Sequence, residues 1–205
     1  METLTPTVVR SAAKGTSRVS QGEPSLYVSY TSNYNFVYND TGSGSDADVT
    51  IWRPSPTDVN YFIVGDYAQG NYGSPAGSSI IVSAVNDDPD HPLLKEPLRY
   101  EQIWNDAGSG GDYDGSIWRP VAPDGYVALG CVGNQGYDQP TITNYRCIRK
   151  DMATDAAAGA WIWSDGGSGA DNDVSLYQNA GASGLFVAQG NYNPYTGPCF
   201  KLATT

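Results

Sequence analysis

Apolar positions along this chain alternate with a period of two, in short runs broken by glycine, asparagine and proline. The stretches YNFVYND, YEQIWND and AWIWSD set aromatic and β-branched residues on alternating positions, which is the pattern of half-buried strands. Runs such as SSIIVSAV and LFVAQ read as further hydrophobic strands. Apolar stripes at helical spacing are nearly absent. The best helix candidate is a short alanine-rich connector over residues 151–160.

This order of elements occurs three times. Each copy opens on an aromatic strand that places Tyr38, Trp104 or Trp163 two residues ahead of an aspartate. A Gly/Asp loop follows, then a strand TIWRP, SIWRP or SLYQN. After a turn come a hydrophobic strand (61–65, 126–130, 185–189) and a returning one, SSIIVSAV, TNYRCIRK or GPCFKLA. All three loops fit D-x-G-S-G-x-D-x-D-x-[ST]-[IL]-[WY], and their leading residues Asp40, Asp106 and Asp165 are 66 and 59 residues apart. Four strands are too few to stand alone as a sheet, so the repeats must bury their apolar faces against a common axis. The predicted fold is all-β: one threefold pseudo-symmetric β-prism of three four-stranded antiparallel sheets, about twelve strands in all. The repeats run over about 26–92, 93–153 and 154–205, behind a flexible N-terminal arm over 1–25. A trefoil needs shorter repeats, and a sandwich gives no reason for three.

Composition narrows the function. A length of 205 residues suits one domain with a proper core. The formal charge of −11 repels phosphate backbones, which argues against nucleic-acid binding. Three cysteines without CxxC spacing fit neither a disulfide framework nor a zinc site, and are expected as buried free thiols. The first residues hold no long apolar stretch, so neither a secretory signal nor a membrane span is predicted. The expectation is a soluble protein made in the cytosol, able to act outside the cell if released by a non-classical route. The single histidine, His91, sits in a proline-flanked linker, a poor anchor for a catalytic relay. No phosphate-cradling glycine motif is present, and three copies of one loop suggest repeated binding rather than catalysis. A non-enzyme is expected.

The loops carry the candidate chemistry. Asp40, Asp106 and Asp165 stand at strand ends, where a carboxylate caps a Gly-Ser-Gly turn by accepting backbone N–H bonds. Ligand contact is assigned to Asp46, Asp48, Gly111, Asp112, Tyr113, Asp114, Asp171, Asn172 and Asp173. Carboxylates accept paired hydrogen bonds from vicinal sugar hydroxyls, glycine exposes backbone donors, and an aromatic ring stacks on a sugar's C–H face. Tyr72, Tyr137, Tyr192 and Tyr195 lie in or near loops and offer further contacts. Three such sites would give avidity on a glycan-coated surface. No cofactor is required. Calcium is the optional ligand, because D-x-D-x-[ST] supplies alternating carboxylates and a hydroxyl, with Asp106, Asp112 and Asp114 as the candidate set. Trp52, Trp118 and Tyr177 are assigned to the core, and Arg53 and Arg119 to pairing with loop carboxylates. Gly111 and Gly115 would let a ligand approach repeat two most closely. Repeat three diverges, with Gln178-Asn179 in place of Arg-Pro.

The stretch PLRYEQIWNDAGSGGDYDGSIWRPVAPDGYVALGCV, followed by YRCIRKD, resembles the vacuolar protein sorting-associated protein 62 family. The likeness is close in repeat two, clear in repeat one and degenerate in repeat three, and spans most of the chain. The W-R-P…G-Y…L-G phrase is also similar to the adaptor-binding repeats of large vacuolar sorting lipid-transfer proteins. Related prism modules resemble the membrane-targeting domains of some pore-forming toxins. The resemblance implies a β-prism with a binding role. The leading expectation is a lectin-like module that recognises glycans or a glycosylated membrane surface, in defence. The alternatives are an intracellular peptide-docking adaptor in vacuolar protein sorting and a membrane-targeting component of a pore-forming toxin.

Overall fold

The computed structural model describes residues 7–10 and 22–203, and among them eighteen strands and one 3-10 turn carry the architecture. Repeat one holds β1 (Thr7–Arg10), β2 (Ser25–Thr31), β3 (Tyr34–Asn39), β4 (Thr50–Pro54), β5 (Phe62–Ile63), β6 (Tyr67–Gln69) and β7 (Ser79–Val85). Repeat two holds β8 (Leu94–Lys95), β9 (Arg99–Asn105), β10 (Gly115–Val121), β11 (Tyr126–Val127), β12 (Val132–Gln135) and β13 (Cys147–Arg149). Repeat three holds β14 (Ala153–Asp155), β15 (Ala158–Ser164), β16 (Ser175–Asn179), β17 (Phe186–Gln189) and β18 (Phe200–Leu202).

The all-β class is as expected, but the sheet plan differs. Each repeat divides between two antiparallel sheets. One set is β3-β4-β6, β9-β10-β12 and β15-β16-β17; the other is β1-β2-β7-β5, β8-β13-β11 and β14-β18. There are thus six sheets, mostly of three strands, where three of four strands were predicted. The cause lies in the hydrophobic runs that read as single strands. In repeat one the run stops pairing after Ile63, and Val64 and Gly65 carry the chain into the molecular centre. There Gly65 and Gly130 nearly touch: a Cβ on Gly65 would stand 2.9 Å from the Gly130 Cα. The chain emerges on the other sheet as β6.

Two core clusters each draw on all three repeats. One contains Leu26, Val82, Leu129, Ile148, Leu185 and Leu202. The other contains Tyr38, Ile51, Trp104, Ile117, Trp163 and Leu176. No repeat covers its own apolar face, which is why three copies are needed. A third cluster, with Ile63, Tyr100, Trp118 and Tyr145, seals the seam between repeats one and two. Trp118 is buried as expected, whereas Trp52 and Tyr177 are half-buried against Phe36 and Tyr195, with ring centroids 5.7 and 6.1 Å apart.

Other expectations shift as well. The predicted helix over 151–160 is a 3-10 turn, Lys150–Met152, followed by β14 and the start of β15. Met152 is fully buried and β14 pairs with β18, so tertiary pairing overrides the mild helix preference of the alanines. Within the arm predicted over 1–25, Thr7–Arg10 forms an edge strand on β2; positions 1–6 and 11–21 lie outside the described residues. All three cysteines are free and buried, and burial pushes the Cys131 and Cys147 thiols up to about 11 and about 12. His91 lies at the surface, 3.6 Å from Asp88. Among the described residues no helix is long and apolar enough to cross a membrane.

Candidate functional site

The leading aspartates are buried, at 2–3 % exposure, and they hold the loops shut. The Oδ1 atoms of Asp40, Asp106 and Asp165 accept the N–H groups of Val49 (2.8 Å), Gly115 (3.0 Å) and Val174 (2.8 Å). Their carbonyls accept Ser43, Ser109 and Ser168 N–H, closing the Gly-Ser-Gly turns. The second carboxylate oxygen reaches a neighbouring repeat. Trp163 donates its indole N–H to Asp40 and Trp104 donates to Asp165, both at 3.0 Å. Burial pushes the Asp40 and Asp165 carboxyls above the usual range, against the pull of these donors. The capping role predicted for all three residues is what the structure has.

In the second loop Tyr38 takes the place of the tryptophan. Its hydroxyl is buried with no hydrogen-bond partner among the described residues. Gly115 lies directly beneath the ring, where a Cβ would stand 2.1 Å from Tyr38 Cδ2. Gly115 therefore makes room for an aromatic ring and not for a ligand. Gly111 is half-buried beside Thr41 and Asp106, and its N–H, expected to face a ligand, donates to Ser109 Oγ at 3.2 Å.

The middle aspartates join the loops into a ring. Asp46 N–H donates to Gly166 O, Asp112 N–H to Thr41 O and Asp171 N–H to Ala107 O, each at 2.8 Å. Their carboxylates lie over Gly167, Gly42 and Gly108, where an added Cβ would come within 2.9–3.0 Å. Those glycines also have φ of 86°, 82° and 89°, so no other residue fits easily there. Asp46, Asp112 and Asp171 remain exposed to solvent, but their backbone is committed.

The third aspartates, Asp48, Asp114 and Asp173, are exposed and each meets a tyrosine from the next loop of its own repeat. Tyr137 donates to Asp114 at 3.3 Å. Tyr72 stands close enough to Asp40 and Asp48, and Tyr192 to Asp165 and Asp173, for the carboxylates to act on the phenols. The three rings are 45, 40 and 50 % exposed, so each presents a face to solvent beside its carboxylate. Burial, followed by the leading carboxylates, pushes the Tyr72 and Tyr192 phenols upward. The [ST] position of the motif anchors these tyrosine loops. Thr50 Oγ1 donates to Asn71 O (2.9 Å), Ser116 Oγ to Gly136 O (2.6 Å) and Ser175 Oγ to Asn191 O. The Asp–Tyr pairing was not drawn from the sequence. Its signal was the phrase Gln-Gly-Asn-Tyr, present at 69–72 and 189–192.

The calcium set does not converge. Among the described residues no three Asp, Glu, His or Cys side chains are grouped to hold a metal ion. Asp106 faces inward to Gly115, Asp112 lies over Gly42, and the motif's hydroxyl is spent on a backbone carbonyl. Tyr113 is exposed and meets the Phe36 ring edge-on at 5.6 Å. The Asn172 side chain is exposed, while its carbonyl accepts the Trp104 indole at 2.8 Å. Arg53 pairs with the buried Asp66 carboxylate at 2.8 Å, as expected of it. Arg119 instead donates to the Ala188 carbonyl at 3.0 Å, because its repeat has Cys131 where repeat one has Asp66.

The family model described as vacuolar protein sorting-associated protein 62 matches residues 2–192. Among solved structures the fold is similar to that of GNIP1Aa from Chromobacterium piscinae, with a TM-score of 0.69 and 34 % identity. The match covers 82 % of this chain and 34 % of that one, so this chain spans about a third of GNIP1Aa. No curated protein matches the chain.

Proposed function

Because the chain belongs to the vacuolar protein sorting-associated protein 62 family, we propose that it is a non-enzymatic, lectin-like module recognising glycans on a membrane surface, in a defence setting. The observation that carries this reading is the threefold display of Asp48–Tyr72, Asp114–Tyr137 and Asp173–Tyr192 on a cross-linked ring of loops. Each pair offers a carboxylate acceptor for sugar hydroxyls beside an exposed ring for a C–H face. Backbone hydrogen bonds between the loops hold the ring that carries the pairs in place before any ligand arrives, which lowers the ordering cost of binding. Three copies on one body add avidity on a multivalent surface. Alignment with a third of GNIP1Aa fits a recognition unit that also occurs within longer chains. No calcium is needed for this mode of contact.

A glycan array with and without calcium tests the reading, with the triple variant Asp48→Asn, Asp114→Asn, Asp173→Asn as control. Calcium-independent signal that the triple variant loses, at unchanged melting temperature, is the expected result. Silence in both arms, or the absence of any glycan whose signal the triple variant loses, counts against it.

A second reading is peptide docking. An apolar groove of about 290 Å³ lies between repeats two and three, lined by Arg119, Pro120, Tyr126, Leu129, Tyr195 and Phe200. Capture of a proline-rich peptide that Arg119→Ala abolishes would favour it.

A further inference from the structure

The three seams between repeats are built alike and finished differently. In the first two, the arginine of the W-R-P phrase crosses to the neighbouring repeat. Arg53 donates to Gly133 O at 2.6 Å and Arg119 to Ala188 O at 3.0 Å. Gly133 and Ala188 occupy the same register position, paired with Ile117 and Leu176. In repeat one that position is Ala68, paired with Ile51. The side chain that should cross to it is Gln178, which is too short and makes no such bond. The connection after β16 is also abbreviated: six residues link β16 to β17, where twelve link β4 to β6 and include β5. The seam between repeats three and one therefore stays open as a groove of about 840 Å³.

The groove has a consistent chemistry. None of its described lining residues is charged, on a chain with 22 acidic and 11 basic residues. Trp161 stands at its edge, 50 % exposed, with Tyr30 at 46 %. At the same position in the other repeats stand Phe36, which packs on Trp52, and Gln102. Among the described residues neither the Trp161 indole N–H nor the Gln178 amide has a hydrogen-bond partner. Ser78, Ser183 and the backbone of Gly181 add polar groups along the lining.

We propose that this groove binds an uncharged saccharide chain, with a sugar ring stacked on Trp161 and its hydroxyls hydrogen-bonded by Gln178. An indole face suits the C–H surface of a sugar, and a primary amide both donates to and accepts from hydroxyls. A phosphate or carboxylate ligand would meet no cation here. A lipid tail or an apolar peptide side chain would strand the groove's amides and hydroxyls. The volume lies in the upper part of the range for ligand sites, about 300–1,000 Å³, and suits several linked sugars better than one. Gln69 and Gly70 of the lining lead into the Tyr72 loop, but the groups assigned to the ligand, Trp161 and Gln178, belong to none of the Asp–Tyr pairs.

The test uses the full chain and two sets of probes: soluble neutral hexasaccharides (cello-, chito-, manno- and laminarihexaose), and phosphatidylcholine vesicles bearing lactosylceramide. Calorimetry and tryptophan fluorescence read the first set, and co-sedimentation reads the second. At least one probe binds the wild type; soluble binding identifies a free glycan as the source, and binding confined to vesicles identifies a glycolipid. Trp161→Ala weakens that binding about tenfold or more, and Trp161→Phe retains part of it. Gln178→Arg, which restores the crossing arginine of the other seams, closes the groove and abolishes binding without lowering the melting temperature. The Asp48, Asp114, Asp173 triple variant binds the same probe as wild type. Failure of every probe in both arms, binding that survives Trp161→Ala and Gln178→Arg, or loss only in the triple variant would each overturn the assignment.

Discussion

Replacing Asp40 with alanine separates scaffold from surface most sharply. The carboxylate accepts Val49 N–H at 2.8 Å and the Trp163 indole at 3.0 Å, and the residue is 2 % exposed. Hydrogen bonds to a charged acceptor contribute about 1.5–3 kcal/mol each. The burial that raises the Asp40 carboxyl offsets part of this, and Trp163 keeps its bond to Ala47 O. A net loss of about 3 kcal/mol follows, because the Val49 amide is left buried and unpaired. For a domain of this size that lowers Tm by about 6–12 °C. Asp106→Ala should cost roughly half as much, since Tyr38 supplies no indole donor to that loop. Asp48→Ala removes an exposed group and should stay within about 0.5 kcal/mol. Differential scanning calorimetry of the three variants at neutral pH is the assay. An Asp40→Ala shift below about 3 °C, or an Asp48→Ala shift as large as that of Asp40→Ala, would refute this division of labour.

Two further outcomes follow from buried polar groups. Tyr38→Phe removes a hydroxyl that has no partner, so Tm should hold or rise by about 1–3 °C; a clear fall would mean the hydroxyl is bonded in solution. Asp40 and Asp165 have carboxyl pKa values above the unfolded value, so the folded state holds these protons more tightly. Their contribution is fully present below about pH 4 and is lost as pH rises through the folded values. Measured against the non-titrating Asp40→Asn, wild-type Tm should therefore gain on the variant as pH falls from neutrality toward 4. A gap that narrows in acid would reverse the sign of the shift.

Much of the molecule was legible in the chain. Alternating aromatic strands gave the all-β class, and the repeated loop motif located the caps, because an aspartate ahead of Gly-Ser-Gly at a strand end has backbone donors to satisfy. The assignment of ligand contact was coarser. Asp46, Asp112 and Asp171 face solvent but lie over glycines of a neighbouring loop, and nothing within one copy of the motif shows that. Trp163, two residues on, and not Trp161 carries the repeat pattern, and Gln178 stands in the sequence simply as a departure from Arg-Pro. That Trp161 is half-exposed and that Gln178 lines the open seam are visible only in the fold.

The division has a physical basis. Strand or turn is decided by near neighbours: side-chain alternation, β-branching, and the freedom of glycine at positive φ. Those preferences are written in each stretch, so the sequence by itself determined the element types, the threefold repeat and the loop caps. Which strand pairs with which depends on contacts between residues far apart in the chain. Trp104 finds Asp165 at a separation of 61 residues, and Trp163 finds Asp40 at 123. Gly115 is explained only by Tyr38 from another repeat. Six sheets rather than three, and two seams crossed by an arginine beside one that is not, arise where the apolar runs meet at the axis and compete for the same space. Only the tertiary structure decides that competition, because close packing and buried hydrogen bonds are satisfied jointly by all three repeats and by none of them alone.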